Sequence, residues 1–120
     1  MSKQRSVMVT GGAGYVGSAL VPRLLSQGHR VTVLDWYLYG EDLFEEHRKN
    51  PNLREVKGDI RDVSAVERAL EGADAVIHLA CISNDPSYDL DPALGKSINA
   101  DAFRPLVQAA KRAKVERFIY

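Results

Sequence analysis

Residues 7–17 read VMVTGGAGYVG and join a short apolar run to a glycine-rich turn. The apolar run stops at Thr10, and glycines then recur at Gly11, Gly14 and Gly17. A helical pattern of apolar residues follows, so the stretch predicts a strand, a tight turn and a helix N-terminus. Such an N-terminus favours an anion, and glycine lets the main chain approach it closely. The stretch therefore predicts a cradle for a diphosphate; the alternative is a purely structural strand-to-helix turn.

The composition is typical of a soluble globular protein with one domain. The chain has 120 residues, 45% of them apolar, and its 16 basic side chains balance 16 acidic ones. The chain has no excess of basic residues, so a nucleic-acid partner is not predicted. It also has no polybasic cluster and no long apolar stretch, so a membrane partner is not predicted. A single cysteine, Cys81, excludes an internal disulfide and fits a reducing compartment. We therefore expect a cytoplasmic protein.

Strand-like and helix-like segments alternate along the chain. Strands are predicted at 6–10, 30–34, 53–57, 75–79 and 116–120, and helices at 15–27, 41–49, 63–70 and 92–113. The apolar face of the first helix is predicted to comprise Val16, Ala19, Leu20, Leu24 and Leu25. This alternation predicts right-handed crossovers and a parallel sheet with helices on both faces. The expected fold class is α/β, a doubly wound (Rossmann) sheet with strand order 3-2-1-4-5, which binds ligands beyond the carboxyl ends of its strands.

An acid stands at the end of the second predicted strand. Asp35 follows Gly17 by 18 residues, and the next four residues, WYLY, contain no Arg or Lys. A carboxylate at this place can accept hydrogen bonds from both hydroxyls of an adenosine ribose and repels a 2′-phosphate. The pattern thus favours NAD over NADP, whereas a mononucleotide P-loop is excluded because no Gly-Lys-Ser/Thr follows the glycines. The alternative for Asp35 is a solvated acid at a strand end.

Two further features follow the third and fourth predicted strands. Residues 58–62 read GDIRD. Asp59 can accept a hydrogen bond from the adenine amino group while Ile60 packs on the ring, but a turn with a helix cap at Asp62 explains the same positions equally well. His78 lies in an apolar strand and is interpreted as a core or strand-end histidine. No acids or histidines show metal-ligand spacing, so no metal site is predicted.

Together these motifs resemble the extended short-chain dehydrogenase/reductases, and more narrowly the NAD-dependent epimerase/dehydratase group that acts on nucleotide sugars. The resemblance rests on residues 10–17 (TGGAGYVG), Asp35, residues 58–62 (GDIRD), residues 78–80 (HLA) and Asn99. It implies that cofactor-binding residues are spread along the whole chain. The implied contacts are the diphosphate at Gly11, Gly14, Tyr15, Val16 and Gly17; the adenosine ribose at Asp35; adenine at Asp59 and Ile60; and the nicotinamide half at Leu79, Ala80 and Asn99.

The proton-transfer residues of that family have no counterpart in this sequence. They are a Ser or Thr just after the fifth strand and a Tyr-x-x-x-Lys beyond it, and none of the five tyrosines here has Lys four residues on. The resemblance implies that these residues lie beyond Tyr120. Residues 1–120 are then expected to be the NAD-binding, N-terminal part of a longer enzyme, with no catalytic residue and no turnover of their own.

The resemblance also implies a nucleotide-sugar substrate and a homodimer formed through the helix at 92–113. The alternative is a stand-alone, non-catalytic NAD-binding module.

Overall fold

The computed structural model describes residues 4–12, 15–36, 44–79 and 103–119. Within these ranges five strands and three α-helices follow the predicted alternation, and a 3-10 turn, Glu45–His47, lies between the second and third strands. The strands are β1 (Ser6–Thr10), β2 (Arg30–Asp35), β3 (Leu53–Lys57), β4 (Ala75–His78) and β5 (Arg117–Ile119), and the helices are α1 (Tyr15–Ser26), α2 (Val63–Leu70) and α3 (Phe103–Arg112).

The five strands form one parallel sheet in the order β3-β2-β1-β4-β5. This is the predicted order, and it confirms the doubly wound fold class. β1 lies at the centre, and its last residue, Thr10, is in register with Leu34 of β2 and His78 of β4. The carboxyl ends of these three strands therefore meet at one edge, at the point where the chain direction across the sheet reverses.

Apolar side chains cover both faces of the central strands. Successive residues of a strand point to opposite faces, so Met8 packs under α2 and α3 while its neighbours Val7 and Val9 pack under α1. All three are buried, as expected for a central parallel strand covered on both sides. The sheet is thereby a rigid support for the loops at its carboxyl edge.

The buried face of α1 differs from the predicted one. Val16 is 58% exposed and Ala19 is exposed, whereas Gly17, Val21 and Leu25 are buried at four-residue spacing. The prediction was wrong for Val16 and Ala19 because α1 is apolar on most of its surface, so the pattern of side chains does not fix its orientation. The orientation follows instead from the close contact of Gly17 with the turn after β1, described below.

The ends of three strands depart slightly from the prediction. β2 extends to Asp35, one residue beyond its predicted end. β4 ends at His78, one residue earlier than predicted. β5 was predicted at 116–120 but spans Arg117–Ile119, so it begins one residue later. Tyr120, the last residue of that predicted strand, lies outside the described residues, and its assignment to β5 stays a prediction.

Three predicted helices differ from their expected bounds: α1 and α3 each end one residue earlier, at Ser26 and Arg112, and a third is replaced by a shorter turn. Residues 44–49, the described part of the helix predicted at 41–49, form a 3-10 turn instead, because Phe44 is completely buried in the core under α1. Asp62 caps α2 as predicted, its side chain accepting a hydrogen bond from Ser64 N at 3.0 Å. The first part of the helix predicted at 92–113 lies outside the described residues.

No helix in the described part of the chain has the length and apolar character needed to cross a membrane.

Candidate cofactor site

The turn after β1 is formed by glycine because its main chain is left-handed. Gly11 has φ 72°, a conformation that an L side chain adopts only with strain. Its N–H donates to Leu34 O at 2.8 Å, which ties the start of the turn to the end of β2. Gly11 thus lies at the central point of the carboxyl edge, where the fold places its ligands.

The N-terminus of α1 rests directly on this turn. A β-carbon built at Gly17 would lie 2.3 Å from Gly12 O, and one built at Gly12 would lie 2.8 Å from Val33 Cγ1. Only glycine at both positions permits this approach of helix, turn and β2. The first-turn N–H groups and the positive end of the α1 dipole are therefore placed beside the turn, an arrangement that fits a diphosphate. Val16, in the same first turn, is exposed to solvent.

Thr10 joins the ends of β1 and β4. Its side chain is completely buried, and Oγ1 lies 2.6 Å from His78 Nδ1. The Leu79 N–H donates both to Thr10 O at 2.9 Å and to Thr10 Oγ1 at 3.1 Å. These bonds fix the main chain of Leu79 next to the residue that precedes the glycine turn.

His78 is a structural residue of this junction, as its sequence context indicated. Its ring lies 5.6 Å from that of Phe103 and 6.2 Å from that of Phe118. Burial among these groups lowers the pKa of His78 below its ordinary value, so the neutral imidazole is favoured at pH 7. The neutral ring can accept the Thr10 hydroxyl proton at Nδ1, which leaves Thr10 Oγ1 as the acceptor for Leu79 N–H.

Asp35 is the last residue of β2 and is half-buried. Its carbonyl accepts a hydrogen bond from Gly58 N at 2.9 Å, so the chain after β3 is fastened to the end of β2. Because Leu34 is bonded to Gly11, the Asp35 carboxylate stands one residue from the glycine turn along the same edge. This is the position that a ribose-binding acid occupies in a dinucleotide site.

Asp59, Arg61 and Trp36 form one cluster beside Asp35. The Arg61 main-chain N–H donates to Asp59 Oδ1 at 2.8 Å, Arg61 Nε donates to Oδ2 at 2.7 Å, and Arg61 Nη2 also contacts Oδ2. The Trp36 side chain adds a hydrogen bond to the carboxylate, and Arg61 Cζ lies 4.9 Å from the Trp36 ring centroid. We refer to these three residues as the Asp59 cluster.

The Asp59 cluster keeps its carboxylate ionised. Burial by itself would raise the pKa of Asp59, but hydrogen bonds from the Arg61 side chain and main chain, the Arg61 charge and the Trp36 bond outweigh it. The pKa of Asp59 is consequently below its ordinary value. The turn with a helix cap, which was one of the two interpretations of residues 58–62, is therefore present in the structure. The Asp59 carboxylate lies in this turn, after the carboxyl end of β3.

The side chain of Ile60 is buried in the turn after β3. It is 6% exposed and packs in the core under α2. An adenine ring that binds at the sheet edge can therefore contact the main chain of Ile60, whereas the Ile60 side chain packs in the core. This packing follows from α2, which begins three residues later and presses the turn onto the sheet.

Most of the predicted site residues within the described ranges converge at the carboxyl edge. Four strand ends contribute there: β1 through Gly11, β2 through Asp35, β3 through Asp59 and β4 through Leu79, with Val16 and Gly17 in the adjoining turn of α1. Gly14, Ala80, Asn99 and the side chain of Tyr15 lie outside the described residues. Among residues 4–12, 15–36, 44–79 and 103–119, no three His, Cys, Asp or Glu side chains are placed to hold a metal.

One contact at this edge was not predicted from the sequence. The four residues after Asp35 contain no cation, yet the fold brings Arg61 from the β3–α2 turn onto the ring of Trp36. The predicted strand order could have revealed it, because β2 and β3 are neighbours and the residues that follow them must lie side by side.

A groove of about 550 Å³ lies away from this edge, between the C-terminal ends of α2 and α3. It is lined by Glu67, Gly72 and Arg112 among others, and Arg112 Nη2 lies 3.8 Å from Glu67 Oε1 across it. Gly72 precedes β4, so the groove is on the side of the amino ends of the strands and does not coincide with the glycine turn.

A doubly wound sheet with a glycine turn at its reversal point and an acid at the neighbouring strand end defines a dinucleotide-binding α/β protein. Residues 7–120 match the family model of the NAD dependent epimerase/dehydratase family, and the chain belongs to that family. The predicted membership of the NAD-dependent epimerase/dehydratase family is therefore confirmed, and with it NAD as the cofactor of the family.

Two relatives and one solved structure illustrate the family. The chain is 36% identical over 118 residues to the UDP-glucose 4-epimerase of Lactobacillus helveticus, covering 95% of this chain and 34% of the relative. It is 35% identical over 118 residues to a 3 beta-hydroxysteroid dehydrogenase/Delta 5-->4-isomerase of Mycobacterium tuberculosis, covering 95% and 30%.

Among solved structures, the UDP-glucose 4-epimerase of Thermus thermophilus in complex with NAD has a TM-score of 0.81 and 32% identity, over 96% of this chain and 36% of that one. The chain thus spans about a third of the length of the relatives that it matches.

Proposed function

We propose that this chain is the NAD-binding part of an epimerase/dehydratase-type oxidoreductase that acts on a nucleotide sugar. The observation that carries the proposal is the pairing of the Gly11–Gly17 turn with Asp35 at the next strand end. The turn binds the diphosphate, and the Asp35 carboxylate accepts hydrogen bonds from the hydroxyls of the adenosine ribose at the same edge.

The role of each residue follows from its place on that edge. The diphosphate lies against the turn and the first residues of α1, and Asp35 binds the ribose. Asp59 and the main chain of Ile60 face adenine. The nicotinamide half extends past the end of β4. The proposed residues are Gly11, Gly14, Tyr15, Val16 and Gly17 for the diphosphate, Asp35 for the ribose, Asp59 and Ile60 for adenine, and Leu79, Ala80 and Asn99 for the nicotinamide half.

In this proposal the chain contributes binding and orientation. When bound, NAD would accept a hydride from a sugar carbon. The β1–β4 junction at Thr10 and His78 fixes the main chain of Leu79, a residue proposed to contact the nicotinamide half. Residues 1–120 contain no Tyr-x-x-x-Lys, so we propose that they bind the cofactor without turnover and that the proton-transfer residues of the complete enzyme lie beyond Tyr120.

The nucleotide-sugar substrate is supported by the epimerases among the similar proteins, whereas one relative carries the name of a steroid dehydrogenase. The proposal includes a homodimer formed through residues 92–113 and a cytoplasmic location, for which the single cysteine is the supporting observation. The second candidate, a non-catalytic NAD-binding module, is favoured by the missing Tyr-x-x-x-Lys and opposed by the greater length of the relatives.

Parallel calorimetric titrations with NAD and NADP test the proposal, using the wild-type chain and the variant Asp35→Ala. The wild-type chain should bind NAD at least about tenfold more tightly than NADP, since Asp35 accepts a hydrogen bond from one and repels the other. In Asp35→Ala the affinity for NAD should fall by about tenfold and the preference should disappear, because a hydrogen bond to a charged group is lost.

The control variant is Glu67→Ala, which removes an exposed acid from α2, on the groove away from the carboxyl edge. Its affinities should equal those of the wild-type chain. Failure of the wild-type chain to bind NAD would remove the proposal. Equal affinities of the wild-type chain for NAD and NADP would refute only the role of Asp35 in selecting NAD, and the NAD site itself would stand.

A further inference from the structure

The guanidinium of Arg61 contacts Trp36, the residue that follows the proposed ribose ligand. The two cofactors differ by a phosphate on the adenosine ribose, and the proposed ribose ligand is Asp35. The aromatic ring under Arg61 belongs to the next residue, Trp36, and the Gly58–Asp35 main-chain bond of 2.9 Å fastens the β3–α2 turn to the end of β2. Arg61 therefore contacts the residue next to Asp35, although Arg61 follows Asp35 by 26 residues in the sequence.

An arginine at such a place has a defined chemistry. In dinucleotide sites an arginine near the end of the second strand accommodates the 2′-phosphate of NADP, because its planar fork of N–H donors matches phosphate oxygens. The side chain of Arg61 is 37% exposed, so it is not sealed inside the protein. By position alone, this chain carries a group that favours the cofactor that Asp35 disfavours.

Contacts with Asp59 and Trp36 restrain this guanidinium. Arg61 Nε and Nη2 donate to Asp59 Oδ2, and Arg61 Cζ lies over the Trp36 ring, 4.9 Å from its centroid. The main-chain bond from Arg61 N to Asp59 Oδ1 fixes the carboxylate in turn. The guanidinium is thus oriented towards Asp59 and its charge is neutralised there, since such charge-assisted pairs are about twice as strong as neutral hydrogen bonds.

We propose that Asp59 and Trp36 withhold Arg61 from a 2′-phosphate, and that this restraint contributes to the selection of NAD over NADP. The inference rests on the proposed function, since it concerns the same cofactor site. Asp59 thereby has two roles, as the acid facing adenine and as a specificity-determining residue acting through Arg61. Asp35 repels the phosphate, and Asp59 removes the cation that would attract it.

The test measures the ratio of the NADP and NAD dissociation constants. The ratio is informative because both cofactors carry the same adenine, so the loss of an adenine contact at Asp59 cancels. In Asp59→Asn the ratio should fall by about tenfold, since the freed guanidinium can form a charge-assisted bond to phosphate. In the double variant Asp59→Asn/Arg61→Met it should return to within about threefold of the wild-type ratio.

The double variant separates two causes. Asp59→Asn also removes a negative charge that repels phosphate directly, and that effect persists in the double variant, whereas an effect through Arg61 does not. Glu55→Gln is the matched control because Glu55 is paired with Arg48 at 3.0 Å, and the two carboxylate side chains have equal exposure, 20%. Its ratio should equal that of the wild-type chain.

The outcomes distinguish this inference from the proposed function. If the wild-type chain does not bind NAD, both fail. If it prefers NAD but the ratio is unchanged in Asp59→Asn, or stays low in the double variant, the restraint of Arg61 is refuted and the NAD site stands. Thermal unfolding checks each variant, and should Asp59→Asn not fold, Arg61→Met provides the test: its ratio should not fall below that of the wild-type chain, and a fall would overturn the proposal.

Discussion

The substitution Gly17→Ala tests whether the N-terminus of α1 packs as closely against the main chain of Gly12 as the structure indicates. The new β-carbon would lie 2.3 Å from Gly12 O and 2.5 Å from Gly12 C and Cα. These are main-chain atoms of a turn that is bonded to β2, so no flexible side chain can move aside. Ordinary contact begins near 3.4 Å, so the N-terminus of α1 must move outward by about 1 Å.

Two opposing terms set the size of the effect. Alanine in a helix interior is favoured over glycine by about 1 kcal/mol. Overpacking of a well-packed site costs about 1–3 kcal/mol, towards the upper end here because the obstructing atoms are fixed. The expected net loss in the free energy of unfolding is about 1–2 kcal/mol, or a decrease of roughly 4–8 °C in Tm. The displaced helix N-terminus should also weaken NAD binding by about tenfold.

The assay combines thermal unfolding with calorimetric NAD titration. The matched control is Ala19→Gly, the opposite exchange at an exposed position of the same helix. It should cost about 1 kcal/mol through helix propensity alone and leave NAD affinity unchanged. A Gly17→Ala chain that is more stable than the wild-type chain, with undiminished affinity for NAD, would refute the close packing of the turn and the cradle inferred from it.

Two further predictions concern the junction of β1 and β4. Because burial lowers the pKa of His78, its contribution to stability is fully present above about pH 6.5 and is lost as the pH falls below that value. Urea unfolding at about pH 7.5 and about pH 5.5 should therefore show a larger decrease for the wild-type chain than for His78→Gln, and equal decreases would contradict the burial of a neutral imidazole. Thr10→Val should cost about 1–3 kcal/mol by urea unfolding, since His78 Nδ1 loses its hydrogen-bond partner and Leu79 N–H loses one of its two acceptors. Thr32→Val on β2 is its control, expected within about 0.5 kcal/mol of the wild-type chain, and equal losses in the two variants would contradict the special role of Thr10.

The sheet could be predicted from the sequence because β1, β2 and β4 are short, largely apolar runs bounded by turn residues. β1 and β3 match the predicted bounds, and β2 and β4 differ by one residue at the carboxyl end. Strand order followed from the alternation of strands and helices, which leaves few topologies. The position of the glycine turn and of Asp35 at the carboxyl edge followed from that order.

The remaining features depend on contacts between distant segments. The orientation of α1 is decided by Gly12 and Gly17, while its nearly continuous apolar surface is compatible with several orientations. The contact of Arg61 with Trp36 joins residues on different strand ends, and periodicity carries no information on it. The burial of Phe44 likewise replaced a predicted polar helix by a 3-10 turn.

The measurement that tests the central claim most directly is a titration of the isotopically labelled wild-type chain with NAD, followed by main-chain amide resonances. We expect the largest shifts at the carboxyl edge, at Gly11, Gly17, Asp35 and Leu79, and none around Gly72 in the groove between α2 and α3. Shifts confined to that groove, or no shifts at millimolar NAD, would contradict the assignment of the glycine turn as the cofactor site.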